Sequence, residues 1–97
     1  MNEFIKLIYI CGNSEFQEEI MLQHKKLASQ GFVSVSAGPF KRLKEKLASI
    51  TDKINTADAV FVCNKNNKIN RDTKKQIAIA KKLSKRILYL EPISGRA

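Results

Sequence analysis

The stretch FIKLIYICGN, residues 4–13, decides the fold of this chain. Its first eight residues are almost continuously apolar and rich in β-branched and aromatic side chains, which is typical of a strand buried on both faces. Gly12 and Asn13 then break the run. A strand is buried on both faces in a parallel sheet that helices cover, so this segment predicts an α/β fold.

Three helices are predicted outward from this strand. The first opens with a capping box from Ser14 to Gln17 and ends at Gly31, which can adopt a left-handed conformation. Five residues recur along this helix at the spacing of one helical face: Phe16, Ile20, His24, Leu27 and Ala28. The second carries an apolar stripe of Phe40, Leu43, Leu47, Ile50 and Ile54, and the third a stripe of Thr73, Gln76, Ile77, Ala80 and Leu83.

Three further apolar runs, at 32–36, 57–63 and 86–90, are predicted strands. Strands that alternate with helices at this spacing imply right-handed β-α-β crossovers. The prediction is one domain over residues 1–97 with a three-layer Rossmann or flavodoxin-like fold and a four-stranded parallel sheet in the order 2-1-3-4. Residues 93–97 carry no pattern and are expected to form a mobile tail.

Ligands of such sheets bind beyond the carboxyl ends of the strands, at the switch point between outgoing crossovers. The segments expected there are Cys11-Gly12-Asn13, Ala37-Gly38-Pro39 and the loop from Asn64 to Asn70, whose asparagines tolerate left-handed backbone conformations. The predicted ligand-contacting residues are Cys11, Gly12, Asn13, Gly38, Asn64, Thr73 and Gln76.

Charge is distributed unevenly. Residues 1–40 carry three lysines and four glutamates, whereas residues 41–97 carry fifteen basic and five acidic residues. The total of +9 favours an anionic partner, although lysines on exposed helix faces have the same pattern. Lys65, Lys68, Arg71, Lys74 and Lys75 are expected around the rim of the site.

The sequence excludes several classes of protein. No apolar run reaches the roughly 18 residues of a membrane-spanning helix, and residues 1–4 lack the features of a signal peptide. We therefore expect a cytoplasmic protein with no membrane partner. Two cysteines and one histidine are too few for a structural zinc site, so no metal is predicted, and both thiols are expected to be buried and reduced.

Three stretches together resemble the nucleoside 2-deoxyribosyltransferase-like superfamily, in its small bacterial and phage branch. They are IYICGNSEF at 8–16, SAGPF at 36–40, and a longer match from KINTADAVFV at 53–62 through DTKKQI at 72–77 to LYLEP at 88–92. The resemblance implies a Rossmann-like fold, no cofactor, and cleavage or transfer at an N-glycosidic bond. It also implies that a glutamate in the helix after the third strand attacks the anomeric carbon, because a carboxylate stabilises or captures an oxocarbenium-like centre.

Gln76 stands at the position that matches this glutamate. An amide carries no negative charge, so the resemblance implies glycosidic chemistry that is impaired. Asn55 stands where the family usually has aspartate, and the asparagine-rich segment 64–70 replaces a glycine-rich loop. The family often completes its sites across a subunit boundary, and Ile79 and Ile93 could serve such a homodimer contact.

The residues considered for a functional role also have possible structural roles. Gln76 and Thr73 could form a capping box, and Gly12 could serve only a tight turn. His24, placed mid-helix away from the strand ends, is expected to be half-buried packing rather than a general base. Asp58 is expected at the opposite edge from Asp72, which rules out a carboxylate pair.

The leading functional hypothesis is a protein that binds a nucleoside or nucleotide, with weak or lost glycosidase activity. A basic nucleic-acid-binding module is less favoured, because no recognisable DNA- or RNA-binding motif is present. A residual N-glycosidase, in which another group replaces Gln76, is the third hypothesis.

Overall fold

The computed structural model describes residues 5–36 and 43–92. Within them, four strands and three helices follow one another in the predicted order. The predicted turn with Gly38, the predicted start of the second helix near Pro39 and the tail at 93–97 lie outside these residues. The strands are Leu7–Gly12 (β1), Val33–Ser36 (β2), Ala59–Cys63 (β3) and Arg86–Tyr89 (β4), and the helices are Gln17–Ser29 (α1), Leu43–Thr56 (α2) and Arg71–Lys82 (α3).

The four strands form one sheet in the order β2-β1-β3-β4, and every pair is parallel. This confirms the predicted α/β class and strand order, which are those of a Rossmann or flavodoxin-like fold. In the centre, Ile10 of β1 is in register with Ser36 of β2 on one side and Phe61 of β3 on the other.

Each face of the sheet has its own apolar core. Ile8 and Ile10 pack on the side of α1, whereas Tyr9 and Cys11 pack on the side of α2 and α3. Successive side chains of a strand point to opposite faces, so a strand between two helix layers must be apolar throughout. Burying one isoleucine contributes about 1.5–3 kcal/mol, and Ile50 and Ile54 of α2 are both fully buried.

The helices are amphipathic rather than uniformly apolar. Across residues 5–36 and 43–92, no helix combines the length and the apolar character that a membrane crossing requires.

Asp58 ties together the amino ends of β1 and β3. Its Oδ2 accepts hydrogen bonds from the backbone N–H groups of Lys6 and Leu7, both at 2.9 Å. These two donors hold the pKa of the Asp58 carboxyl below its ordinary value. Since Asp72 belongs to the first turn of α3, beyond the other end of β3, the two carboxylates do not form a pair, as expected.

The predicted capping box of α1 is wrong. The helix is entered through a 3-10 turn, Ser14–Phe16, with Asn13 at the N-cap position and no side-chain capping bond. The side chain of Asn13 is instead engaged with the start of α3. The buried face of α1 also differs, because Gln23 is buried and Ala28 is exposed.

The predicted capping box of α3 is also wrong. The N-cap is Asn70, whose Oδ1 accepts a hydrogen bond from the backbone N–H of Thr73 at 2.8 Å. The helix therefore begins three residues earlier than a cap at Thr73 would place it, and Gln76 lies in its second turn. Asn66 and Asn67, just before this cap, do adopt the left-handed conformation predicted for the asparagine-rich loop.

Candidate functional site

A cavity of about 180 Å³ lies at the carboxyl edge of the sheet. Its described walls come from the end of β1 with the turn and helix that follow, from the end of β2, and from the start of α3. The cavity therefore lies beyond the carboxyl ends of β1 and β2, on the edge of the sheet where the sequence predicts a ligand. Of the predicted site residues, Cys11, Gly12 and Gln76 line the cavity. The other described residues that line it are Ile10, Ser14, Gln17, Ile20, Ser36, Asn70 and Asp72.

Gln76 is held in place by a tyrosine from the centre of the sheet. The Tyr9 hydroxyl donates a 2.7 Å hydrogen bond to Gln76 Oε1, and both residues are buried. Burial raises the pKa of the Tyr9 phenol above its ordinary value, so the phenol keeps the proton that it donates. Because Oε1 accepts from Tyr9, the Nε2 amide group is the part of Gln76 that can donate to a ligand.

Gly12 is required by packing at the floor of the cavity. A Cβ atom at this position would lie 3.0 Å from Cys63 Cβ and 3.1 Å from the Cys63 carbonyl oxygen. The glycine thus lets β1 pass close to the last residue of β3. It has this structural role in addition to its place on the cavity wall.

Neither cysteine is placed for nucleophilic chemistry. Both thiols are free and buried, as predicted. Burial, with a smaller contribution from Cys63, raises the pKa of the Cys11 thiol to about 12, and burial also raises that of Cys63. Thiolates are the reactive form, so at neutral pH both residues act as small apolar side chains.

Asn13 and Thr73 join the end of β1 to the start of α3. Asn13 Oδ1 accepts from the backbone N–H of Asn70 at 2.8 Å and from the Thr73 hydroxyl at 3.1 Å. Both side chains are almost fully buried. The structure places neither on the cavity wall; their polar atoms instead hold α3, and with it Gln76, against β1.

Asn64 joins the ends of β3 and β4 in a similar way. Its Nδ2 donates to the Glu91 carbonyl and its Oδ1 accepts from the Glu91 N–H, each at 2.9 Å. The side chain has no exposed surface, and it does not line the cavity. Asn64 thus extends the β3–β4 pairing, and its predicted ligand contact has no support in this geometry.

His24 does not lie away from the strand ends, contrary to the sequence-based expectation. Its ring is half-buried, as predicted, but Nδ1 contacts the hydroxyl of Ser34, and Nε2 lies 3.2 Å from the hydroxyl of Ser36, the last residue of β2. Burial lowers the pKa of the imidazole, so the ring is neutral at pH 7. Since Ser36 lines the cavity, His24 contacts the site through it.

Three polar residues of the cavity wall were not predicted to contact a ligand. Ser14 and Gln17 project from the turn and helix that come after β1, and Asp72 from the first turn of α3. Ser14 and Gln17 follow the end of β1, and Asp72 lies in the first turn of the helix that follows β3. A position between a strand end and the first turn of the next helix is the signal that could have identified them.

The predicted basic rim does not form part of the described wall. Lys65 makes a 2.8 Å ion pair with Glu19 of α1. Lys74 lies in a separate groove with Ile69, Lys81 and Tyr89. The charged side chain on the described wall of the cavity is Asp72.

A metal site is not evident in the described part of the chain, which contains no group of three or more His, Cys, Asp or Glu side chains that could hold an ion. Comparison with known proteins gives no assignment: neither a protein-family model nor a curated protein matches the sequence.

Proposed function

We propose that the chain binds a nucleoside, or the nucleoside part of a nucleotide, at the carboxyl edge of its sheet, and that its N-glycosidic chemistry is impaired. The observation that carries the proposal is the position of Gln76 on the cavity wall, fixed by Tyr9. The proposal also rests on the resemblance to deoxyribosyltransferase-like proteins, which implies that this position corresponds to their nucleophilic glutamate.

The composition of the wall supports a neutral, hydroxyl-rich ligand. Hydroxyl, amide and carboxylate groups surround the cavity, while Ile10 and Ile20 supply apolar surface for a ring. A volume of about 180 Å³ is below the roughly 300–1,000 Å³ of ordinary ligand pockets. The described walls therefore enclose one ring of a nucleoside, with the remainder of the ligand outside them.

An amide at position 76 removes the nucleophile from this arrangement. In the proposed site, Gln76 Nε2 donates a hydrogen bond to a sugar hydroxyl. Position 76 then supplies no carboxylate to attack the anomeric carbon or to stabilise the positive charge that develops on it. Loss of one catalytic group commonly lowers a rate by about a hundredfold to several thousandfold. Binding without turnover is the expected result.

Replacing Gln76 by glutamate tests both parts of the proposal. We expect wild-type protein to bind adenosine or thymidine in calorimetric titrations but to release little or no base, measured by chromatography. Gln76→Glu should increase base release, whereas Gln76→Met should weaken binding and Gln30→Met, at an exposed helix end, should leave it unchanged. Rapid turnover by the wild type, or equal binding by Gln76→Met, would contradict the proposal.

A further inference from the structure

The contact between His24 and the end of β2 suggests a chemistry that does not depend on nucleoside binding. His24 lies on α1, between two serines that are spaced two residues apart on the same face of β2. One of them, Ser36, lines the cavity, so a hydroxyl that contacts an imidazole is presented to whatever ligand enters.

We propose that Ser36 is a nucleophile activated by His24, with Ser34 as the positioning residue, and that the cavity accepts a small acyl ester. A serine and a base within hydrogen-bond reach, with the base oriented by a third group, form the arrangement that nucleophilic catalysis requires. The Ser36 Oγ to His24 Nε2 separation of 3.2 Å is at the upper end of that reach.

The two ring nitrogens contact different serine hydroxyls, and each hydroxyl can donate or accept, so the geometry is compatible with the tautomer that the reaction needs. When Nδ1–H donates to the Ser34 hydroxyl, Nε2 carries the lone pair and accepts the proton of Ser36. Burial keeps the ring neutral at pH 7, so this lone pair is available.

The backbone at Ser36 is fixed from both sides. Ser36 is in register with Ile10 of the central strand, and its carbonyl oxygen accepts a 3.1 Å hydrogen bond from Lys53 Nζ of α2. A nucleophile on a strand held in this way loses little freedom when substrate binds.

The reaction balances with the groups present. The Ser36 oxygen forms a bond to the acyl carbon while its proton moves to His24 Nε2; the bond to the leaving alcohol then breaks, and the alcohol takes that proton. Water cleaves the acyl-serine ester by the same proton transfers in turn, releasing the acid. The Gln17 amide and the Ser14 hydroxyl line the cavity and can donate to the oxygen that becomes negative.

A fluorophosphonate probe tests the proposal on the wild-type protein. Attack by Ser36 on phosphorus expels fluoride and leaves a covalent adduct, which intact-mass measurement counts and peptide mapping locates. We expect one adduct, at Ser36, in folded protein and none after unfolding in urea. An unlabelled protein, or a label at any other residue, would overturn the proposal without reference to any variant.

Variants then separate activation from simple exposure. His24→Gln should lower the labelling rate and the hydrolysis of p-nitrophenyl acetate by about a hundredfold or more, which is the usual contribution of a general base. Ser34→Ala should lower both by less, because it removes only the group that orients the ring. Ser29→Ala, an exposed serine of α1 bonded to the Lys26 carbonyl, is the matched control and should change neither.

Circular dichroism and thermal unfolding establish which variants are folded. Labelling of Ser36 at an equal rate in folded His24→Gln and wild type would contradict activation by His24. Calorimetric titration of the wild-type protein with adenosine, run beside its labelling, distinguishes this proposal from the nucleoside site. Labelling of Ser36 without adenosine binding would contradict only the nucleoside site, and adenosine binding without labelling would contradict only the Ser36 nucleophile.

Discussion

Tyr9 and Gln76 connect the centre of the sheet to the site. The tyrosine is fully buried in the middle of β1, and its hydroxyl reaches the Gln76 oxygen in the second turn of α3. A buried phenol requires a partner, and here the partner is the side chain proposed to face the ligand. The orientation of Gln76 is thus fixed by the core and not by the ligand.

The close contact of Gly12 with Cys63 can be tested by adding a methyl group at position 12. Gly12→Ala should destabilise the protein by roughly 1–3 kcal/mol, because its Cβ would press on Cys63 in a closely packed interior. Urea unfolding followed by circular dichroism measures the change, and Thr51→Ala, on an exposed face of α2, is the control. Equal stability of Gly12→Ala and wild type would show that the glycine is not required by packing.

His24 gives a pH-dependent prediction. Burial lowers its pKa below the ordinary 6.5, so below that pH the unfolded chain takes up the proton before the folded protein does. The stability that the neutral ring contributes is present above about pH 6.5 and is lost as pH falls toward the lowered pKa. Urea midpoints measured between about pH 5 and pH 8 should decline toward acid more steeply for wild type than for His24→Gln. Parallel curves for the two proteins would contradict a lowered pKa.

At the scale of elements, asparagines connect the carboxyl ends of the strands to neighbouring segments of the chain. Asn13 joins β1 to α3, and Asn64 joins β3 to Glu91, just beyond β4. An amide side chain has both a donor and an acceptor, so it can continue a backbone pairing where the strands themselves end. The wall of the cavity that α3 supplies depends on the Asn13 connection.

The Asn64 connection can be tested by removing its side chain. Asn64→Ala should cost about 1–3 kcal/mol, because the Glu91 N–H and carbonyl lose their partners. Hydrogen exchange at the Glu91 amide should accelerate in the same variant. Asn55→Ala, on an exposed face of α2, should alter neither the stability nor that exchange rate. Unchanged protection at Glu91 would show that the amide does not hold the two strands.

The sequence predicted the central strands β1 and β3 well because burial on both faces leaves a strong apolar run. The alternation of strands with helices then predicted the strand order. The prediction failed at the helix starts. Asn70 and Thr73 are both good capping residues three positions apart, and the choice between them depends on Asn13, which lies 57 residues from Asn70 in the chain. Local preference carries no information on such a contact.

The site was predictable only in part, for a similar reason. Cys11, Gly12 and Gln76 were found because strand ends and the family resemblance both point to them. The contact of His24 with Ser36 depends on how α1 is rotated over the sheet. The same rotation buries Gln23 and leaves Ala28 exposed. The spacing of apolar residues along a helix does not determine the rotation of the helix to within one residue.

At the scale of the whole molecule, the excess of positive charge and the cavity are separate features. The chain carries 18 basic and 9 acidic residues, yet the described cavity wall includes Asp72 and none of the five predicted rim cations. The groove of Ile69, Lys74, Lys81 and Tyr89 is instead where an aromatic side chain and lysines meet. We expect any binding of oligonucleotides to weaken steeply with salt, and nucleoside binding in the cavity to vary little with it.

A nucleoside site at the carboxyl edge of the sheet can be located by mapping amide chemical shifts while wild-type protein is titrated with adenosine or thymidine. The predicted result is a set of saturable shifts at the cavity wall, at Gly12, Gln17, Ser36 and Gln76. Shifts confined to the amino ends of the strands, near Asp58 and Arg86, would contradict it, and so would a spectrum that does not change.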